Sequence, residues 1–394
     1  MKIAVNCAFY QPRGGGIKEY VFNLVNNLAE LDNENIYILY VLRDHIGYAR
    51  RGLPERFRIK VMPFNSSSAF NTICRSLLEQ YYWKKEEQIE KWDIFHSPFF
   101  HSPQLRHAKT ILTVHDLRFF RFPKTYTFKR WIFLKYKVRK SILNADHIIS
   151  ISNFTKNEII DAYKIDGNKV TVIHEAINLE RYTAPQNVDG VTIPQELRKS
   201  PFLLSVGHLE PRKNYDRLIE AFMRLKETSS FESLRLVIVG KKGHSYENTL
   251  KLVASRDDIL YLNFVDHSTL MWLYQNTVLF VFPSYYEGFG FPPLEAGALG
   301  AVSAVSNVSS MPEVCGNATQ YFDPYCVDDI ASAIVSLLNN PVRCRELREL
   351  MAHRISEFSW EENARQTLAV YGKVSNSEIF GGGKSSVTQW LLAA

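Results

Sequence analysis

The chain has 394 residues, 46% hydrophobic and 22% charged. This is the make-up of an ordinary soluble globular protein, long enough for two domains rather than one. Its five cysteines are odd in number with no close pairing for a zinc or redox site, MKIAVNCAFY does not read as a secretory signal, and no apolar run approaches the ~20 residues that cross a bilayer, so a reducing, cytoplasmic setting is expected. The net charge of +6 divides unevenly: residues 1–185 hold 28 Lys and Arg against 18 Asp and Glu, and the remainder 19 against 23. The basic half should face something anionic. No nucleic-acid module or repeated aromatic pattern is present, so a membrane surface is the better expectation.

Strands are predicted at Lys2 to Asn6, Tyr37 to Leu42, Arg58 to Met62, Ile94 to His96, Thr110 to Val114 and His147 to Ser150, with helical or polar stretches between them. Alternation of this kind gives parallel sheets with crossover helices, whose ligands gather at the carboxyl ends of the strands. Gln11 to Gly16 is a loop between the first strand and a helix carrying Ile17, Val21, Leu24, Val25 and Leu28 at helical spacing. Gly14-Gly15-Gly16 there reads either as a plain turn or as a place where backbone amides approach a phosphate. His96-Ser97-Pro98 and His115-Asp116 sit at strand ends; a histidine there is either a hydrogen-bonded core-edge residue or a ligand contact. The stretch KTYTFKRWIFLKYKVRK, residues 124–140, puts Phe128, Trp131, Ile132, Tyr136, Val138 and Ile142 on one broad side of a helix and Lys129, Arg130, Lys137 and Lys140 opposite, with Phe133 among the cations. That basic face is either merely solvated or rests on anionic lipid with Phe133 in the headgroups. Ser152 caps the next helix, and Ser152 and Asn153 are read as structural.

Pro185 to Ser200 reads as a linker. A second strand series follows at Phe202 to Val206, Leu234 to Gly240, Ile259 to Phe264 and Val278 to Phe282. Arg212 and Lys213 stand just before a helix starting near Asn214 or Tyr215. Cations at a helix start oppose its dipole, so either a compensating anion is bound there or these are ordinary surface charges. In VLFVFPSYYEGFGFPPLEAG, Pro283 to Gly290 ends the strand, and Pro292-Pro293 marks a helix start with Glu295 in its first turn. Glu287 falls in the loop. Free amides along Gly288 to Gly290 suit an anion and two carboxylates suit hydroxyls, which together fit a nucleotide sugar, although the bare pair also reads as a favourable helix-start charge and a solvated acid. Helices close the chain at about Val327 to Leu338 and Pro341 to Tyr371.

EGFGFPPLE resembles the donor-site motif of the retaining glycosyltransferases of family 4, the group that includes glycogen and sucrose synthases and bacterial lipopolysaccharide mannosyl- and glucosyltransferases. GGIKEY, TVHDL and PRKN resemble further motifs of that family, in its order, over about residues 1–373. The resemblance implies a GT-B architecture, α/β, with two facing Rossmann-like doubly wound domains and a cleft between them. It divides the chain into an acceptor-binding domain 1–185, a nucleotide-sugar domain 186–355, a helix 356–373 crossing back to the first domain, and a tail 374–394. It also implies roles. Glu287 contacts the transferred sugar and Glu295 the ribose, while Arg212 and Lys213 grip the diphosphate. Gly15, Gly16, Gly288, Phe289 and Gly290 lie along the donor. Val265 meets the base through the backbone, with Asn263 where many relatives have glycine. His115 contacts sugar or acceptor, and Asp116 orients an acceptor hydroxyl or the histidine. No metal and no cofactor is expected beyond a GDP- or UDP-linked sugar. The acceptor is a glycan, best guessed as lipid-linked O-antigen or another surface polysaccharide receiving mannose at the inner face of the cell membrane. An epimerase of the same architecture and a silent sugar-nucleotide-binding subunit are the alternatives.

Overall fold

Among the described residues, short apolar runs rich in Val, Ile and Leu form thirteen strands, and every pairing among them is parallel. The computed structural model describes residues 1–10, 15–49, 52–64, 72–183 and 193–376. Gly14 and the front of the glycine loop, the first part of the linker and most of the tail lie outside them. The first sheet contains β1 (Lys2–Cys7), β2 (Ile36–Leu42), β3 (Phe57–Met62), β4 (Ile94–Ser97), β5 (Lys109–Val114), β6 (His147–Ser150) and β7 (Val170–Val172), in the order β3-β2-β1-β4-β5-β6-β7. The second contains β8 (Phe202–Val206), β9 (Arg235–Val239), β10 (Ile259–Leu262), β11 (Leu279–Phe282), β12 (Ser303–Ser306) and β13 (Gln320–Phe322), in the order β10-β9-β8-β11-β12-β13. Register fixes which loops meet: Ile3 pairs with Tyr37 on one side and Ile94 on the other, and Leu203 with Leu236 and Leu279.

Two Rossmann-like domains of this kind are the GT-B arrangement. Central strands are buried on both faces, as β1, β4, β8 and β11 show, because helices cover each side of a parallel sheet. Three strands escaped the sequence reading. β7 has only three residues, and β12 and β13 are short; β12 reads SAVS, with both serines buried. Ser306 is tolerated because its Oγ donates to the Ser284 carbonyl at 2.7 Å; the Ser303 carbonyl accepts from Thr319 Oγ1 at 2.7 Å, while the Ser303 hydroxyl itself has no partner among the described residues. Part of the expected linker is helical, at Gln195–Lys199.

The expected closing helix is broken into Pro341–Ser356 and Trp360–Asn376. The second piece lies on the first-domain helix Gly16–Leu31. Its Tyr371 hydroxyl is 2.6 Å from His96 Nδ1, and Asn363 Nδ2 donates to the His174 carbonyl at 2.7 Å. His96, whose other nitrogen meets Thr113 Oγ1 at 2.8 Å, is therefore a core histidine; burial pulls its pKa down to about 3.

The basic helix, Phe128–Asn144, differs most from expectation. Helical spacing tells which residues share a side, not which side the core takes. The core takes a narrow stripe through Val138, Ser141 and Ile142, and leaves Phe128, Ile132 and Tyr136 72%, 47% and 64% exposed. Phe133 is half-buried with Lys137 Nζ 5.5 Å from its ring, and Lys137 is 3.7 Å from Glu79 Oε2. Neither projects outward as predicted.

Candidate active site

Each sheet reverses its winding beside its first strand: β1 lies between β2 and β4, and β8 between β9 and β11. Loops leaving the carboxyl ends of such strands diverge and open a crevice. Here the two crevices face each other around a cavity of about 550 Å³. Gly15, Gly16, His115 and Asp116 line it from the first domain, and Arg212, Lys213, Glu287, Gly288, Phe289, Gly290 and Glu295 from the second. Val265 does not; it follows β10, half-buried against the core, where the exposed Phe264 and Asn263 face outward.

Glu287 follows the β11 strand by five residues and is fixed from several directions. Its Oε1 accepts from Lys213 Nζ and Ser284 Oγ, each at 2.6 Å, and its Oε2 lies 2.8 Å from Arg212 Nη1. Burial would raise its pKa, but the two cations and the serine hydroxyl outweigh it and hold the carboxyl at about 2. Lys213 is buried on the Phe282 ring at 4.7 Å, and burial pulls its pKa below the usual range against the attraction of Glu287. Arg212 has a second acid, Glu210, at 2.6 Å from Nε, and donates to the Tyr286 carbonyl at 3.0 Å. A Cβ on Gly207, at φ 155°, would come 2.9 Å from Lys213 Cε, so glycine there makes room for the lysine.

The helix Phe291–Ala298 begins one residue before the proline pair, which leaves Glu295 past its first turn rather than in it. Gly290, at φ 108°, supplies its left-handed entry. Glu295 accepts from the hydroxyls of Tyr182 at 2.7 Å and Tyr274 at 3.2 Å, and burial pushes its pKa up. The amides of Gly288, Phe289, Gly290 and Phe291 donate to no other group among the described residues, so these four present free N–H groups along the cavity, while Pro292 and Pro293 have none to offer.

His115 is buried with both ring nitrogens against acceptors: Nδ1 is 2.8 Å from Glu175 Oε1, and Nε2 is 3.0 Å from the Pro98 carbonyl. Burial lowers its pKa, but Glu175, Pro98 and Asp116 together raise it above the ordinary value. Two acceptors call for two ring N–H donors, so this geometry favours the imidazolium. Glu175, not Asp116, orients the ring; Asp116 instead accepts from Arg118 N at 3.1 Å. Glu175, Glu210, Tyr182 and Tyr274 were missed by sequence reasoning. An acid three residues past the short strand β7, in VIHEAI, was the available signal for the first.

The domains touch at the loop that carries Glu287. Tyr286 Oη accepts from Leu117 N at 2.8 Å and donates to Glu158 Oε2 at 2.6 Å, and Ser152 Oγ donates to the Gly288 carbonyl at 2.7 Å. Ser152 is thus both a helix cap, accepting from Thr155 N at 3.1 Å, and a contact across the cleft. Glu313 crosses in the same way, accepting from Asn153 N at 2.7 Å and lying 2.7 Å from His174 Nε2.

Residues 14–181 match the model of Glycosyltransferase Family 4, and residues 192–357 that of Glycosyl transferases group 1. The chain is also 30% identical to the O-antigen chain mannosyltransferase B of Escherichia coli over 286 residues, 71% of this chain and 74% of that one. It belongs to glycosyltransferase family 4. This family 4 glycosyltransferase is 31% identical over 252 residues to the serotype-specific mannosyltransferase WbdA of Escherichia coli, covering 62% of its own length but 31% of that longer protein. Its fold is that of the sucrose-phosphate synthase from Thermosynechococcus elongatus, with a TM-score of 0.70, 18% identity, and 95% and 98% of the two chains covered.

Proposed function

We propose that this glycosyltransferase moves a hexose from a nucleoside-diphosphate sugar to a glycan acceptor with retention at the anomeric carbon, the donor being GDP-mannose and the acceptor a lipid-linked O-antigen or other surface polysaccharide. The observation that carries the reading is the convergence of Glu287, Glu295, Arg212 and Lys213, with free backbone amides, on one interdomain cavity. The names of the Escherichia coli relatives support mannose and O-antigen. In the reaction the bond between the anomeric carbon and the diphosphate oxygen breaks, and one forms from that carbon to the acceptor oxygen. The acceptor's proton passes to the departing diphosphate. Arg212, Lys213, Arg118 and the amides of residues 288–290 stabilise the diphosphate, while Glu287 positions the sugar hydroxyls and Glu295 the ribose. A UDP-linked sugar is the second donor, since Val265 and Asn263 leave the base contact open.

A ligand that binds only the folded state raises its stability with affinity, so thermal unfolding with GDP, UDP and ADP ranks the base. Incubating GDP-mannose with a mannoside acceptor should then give an α-linked product by NMR. A changed sugar released from donor alone would indicate an epimerase, and neither transfer nor hydrolysis a silent binding subunit.

A membrane surface is the proposed second partner. Among the described residues no helix is long and apolar enough to cross a membrane. The Phe128–Asn144 helix nevertheless leaves Phe128, Ile132 and Tyr136 exposed beside exposed Lys129, Arg130 and Lys140, with no acid anywhere in residues 117–145. Apolar side chains interleaved with cations suit the headgroup region of an anionic bilayer.

A further inference from the structure

A second cavity, of about 410 Å³, lies in the first domain at the carboxyl ends of β1, β2 and β3. It shares a wall with the donor cleft, because Phe9 and Lys18 line both. Its apolar lining comes from Leu42, Met62, Trp83 and Phe99, all buried, and Phe99 meets Phe9 edge to face at 5.0 Å. Polar groups are set among them. The Glu79 carboxylate lies 3.7 Å from Lys137 Nζ. Asn6 is only 5% exposed; in its side chain Oδ1 accepts from Ala8 N at 3.3 Å, and Nδ2 has no partner among the described residues.

Nδ2 opens onto the cavity, so a ligand that covers it without supplying an acceptor loses about 1–3 kcal/mol, and one that supplies an acceptor avoids that cost. The occupant must therefore carry hydrogen-bonding groups as well as apolar surface. A hydrocarbon chain would cover Asn6 Nδ2 without supplying an acceptor. A neutral pyranose matches: its C–H face covers the aromatic floor, and its hydroxyls both donate and accept.

We infer that this cavity is an acceptor subsite that holds the sugar next to the one receiving the transferred hexose. The inference rests on the transferase reading above. The reacting hydroxyl lies in the cleft near Asp116, and the adjoining sugar passes the Phe9–Lys18 wall into the cavity. The enzyme then selects acceptors by the second sugar as well as the first.

Transfer is measured with the full chain to methyl α-mannopyranoside and to the matching methyl α-mannobioside, for the wild type, Phe64→Ala and Asn6→Ala; Phe64 lines the cavity and not the donor cleft. The wild type should favour the disaccharide by at least about 10-fold in kcat/KM, as expected when roughly one hydrogen bond and one stacked face are added. Each variant should cut that preference to about 3-fold or less through KM, with monosaccharide transfer and donor hydrolysis unchanged. A wild type without the preference, or variants that both keep it, would overturn the subsite. Should the wild type bind and hydrolyse donor but transfer to neither sugar, the transferase reading fails. Saturation-transfer NMR of the mannobioside then tests the cavity alone: signal in the wild type lost in both variants supports a sugar site there, and equal signal in all three, or none, overturns it.

Discussion

Replacing Gly288 by alanine should open the enzyme without unfolding either domain. A Cβ at this position would sit 1.9 Å from the His115 carbonyl oxygen and 3.1 Å from Asp116 Cβ, both on the opposite domain. Gly288 is not among the residues with positive φ, so alanine meets no backbone strain of its own and the obstacle is the other lobe alone. An ordinary carbon-to-oxygen approach is roughly 3.4 Å, so the lobes must part by about 1.5 Å at this point. That movement stretches the Ser152 bond to the Gly288 carbonyl and both bonds of Tyr286 Oη, at 2.7, 2.8 and 2.6 Å. Such bonds contribute about 0.5–1.5 kcal/mol each, and overpacking costs about 1–3 kcal/mol, so the closed state should lose about 2 kcal/mol after partial relaxation. This amounts to roughly a 30-fold lower population of the closed form where it is marginal, and a matching fall in kcat/KM. Small-angle scattering should show a larger radius of gyration for Gly288→Ala, with the melting temperature close to wild type. Wild-type turnover with an unchanged scattering profile would refute the claim that this glycine is needed for the lobes to meet.

Lys213→Ala and Glu287→Ala should each lose at least about 100-fold in transfer rate, the scale of removing one preorganised charge-stabilising group, and near-normal turnover would count against the site. Because Glu287→Ala leaves two buried cations short of a partner, Glu287→Gln with a melting curve separates lost chemistry from lost stability. Arg118→Gln should weaken GDP binding by about 10-fold at low salt and by less at high salt, read by titration calorimetry. His115 has a folded pKa above its unfolded value, so its pairing with Glu175 stabilises fully below the unfolded value and is lost as pH rises through the folded one. Glu175→Gln should therefore destabilise the protein most at pH about 6 and least at pH about 9, by thermal unfolding across that range. In liposome flotation with anionic vesicles, Lys129→Glu, Arg130→Glu and Lys140→Glu together should abolish binding, whereas Lys137→Glu, turned inward to Glu79, should matter less; unaffected flotation of the triple variant would remove the membrane proposal.

Much of the fold was legible because parallel strands buried on both faces leave apolar runs that need no alternation to be seen, as in ILTV before His115 and LFVF before Pro283. β12 was not, because SAVS carries two buried serines, of which Ser306 is satisfied by the Ser284 carbonyl, a partner that only the folded sheet supplies. The same limit governed the site. Glu287, Glu295, Arg212 and Lys213 carried local signals in their turns and helix starts, and the cavity collects them. The groups that orient them were silent, since Glu175 reaches His115 from 60 residues away, and Tyr182 reaches Glu295 from 113. The outward face of the Phe128–Asn144 helix was misread for a related reason. Periodicity sorts residues into sides, and only the neighbouring core decides which side is covered.

The charges in the cleft show why the cation pair cannot act alone. Arg212 and Lys213 already face two carboxylates, Glu210 at 2.6 Å and Glu287 at 2.6–2.8 Å, so the cluster is close to neutral before any donor arrives. A bound diphosphate adds negative charge to this balance, and a buried site cannot hold that without further compensation. Two sources lie on the same cavity: Arg118 from the opposite domain, and the free amides from Gly288 to Phe291, whereas the charge on His115 is already balanced by Glu175. The first belongs to the first domain and the other to the second. Full compensation therefore exists only when the lobes are together, and the contact between Gly288 and the His115 carbonyl is what sets that distance. Under the proposed diphosphate-linked donor, closure and diphosphate binding would be one event seen from two sides, each favouring the other by the same free energy.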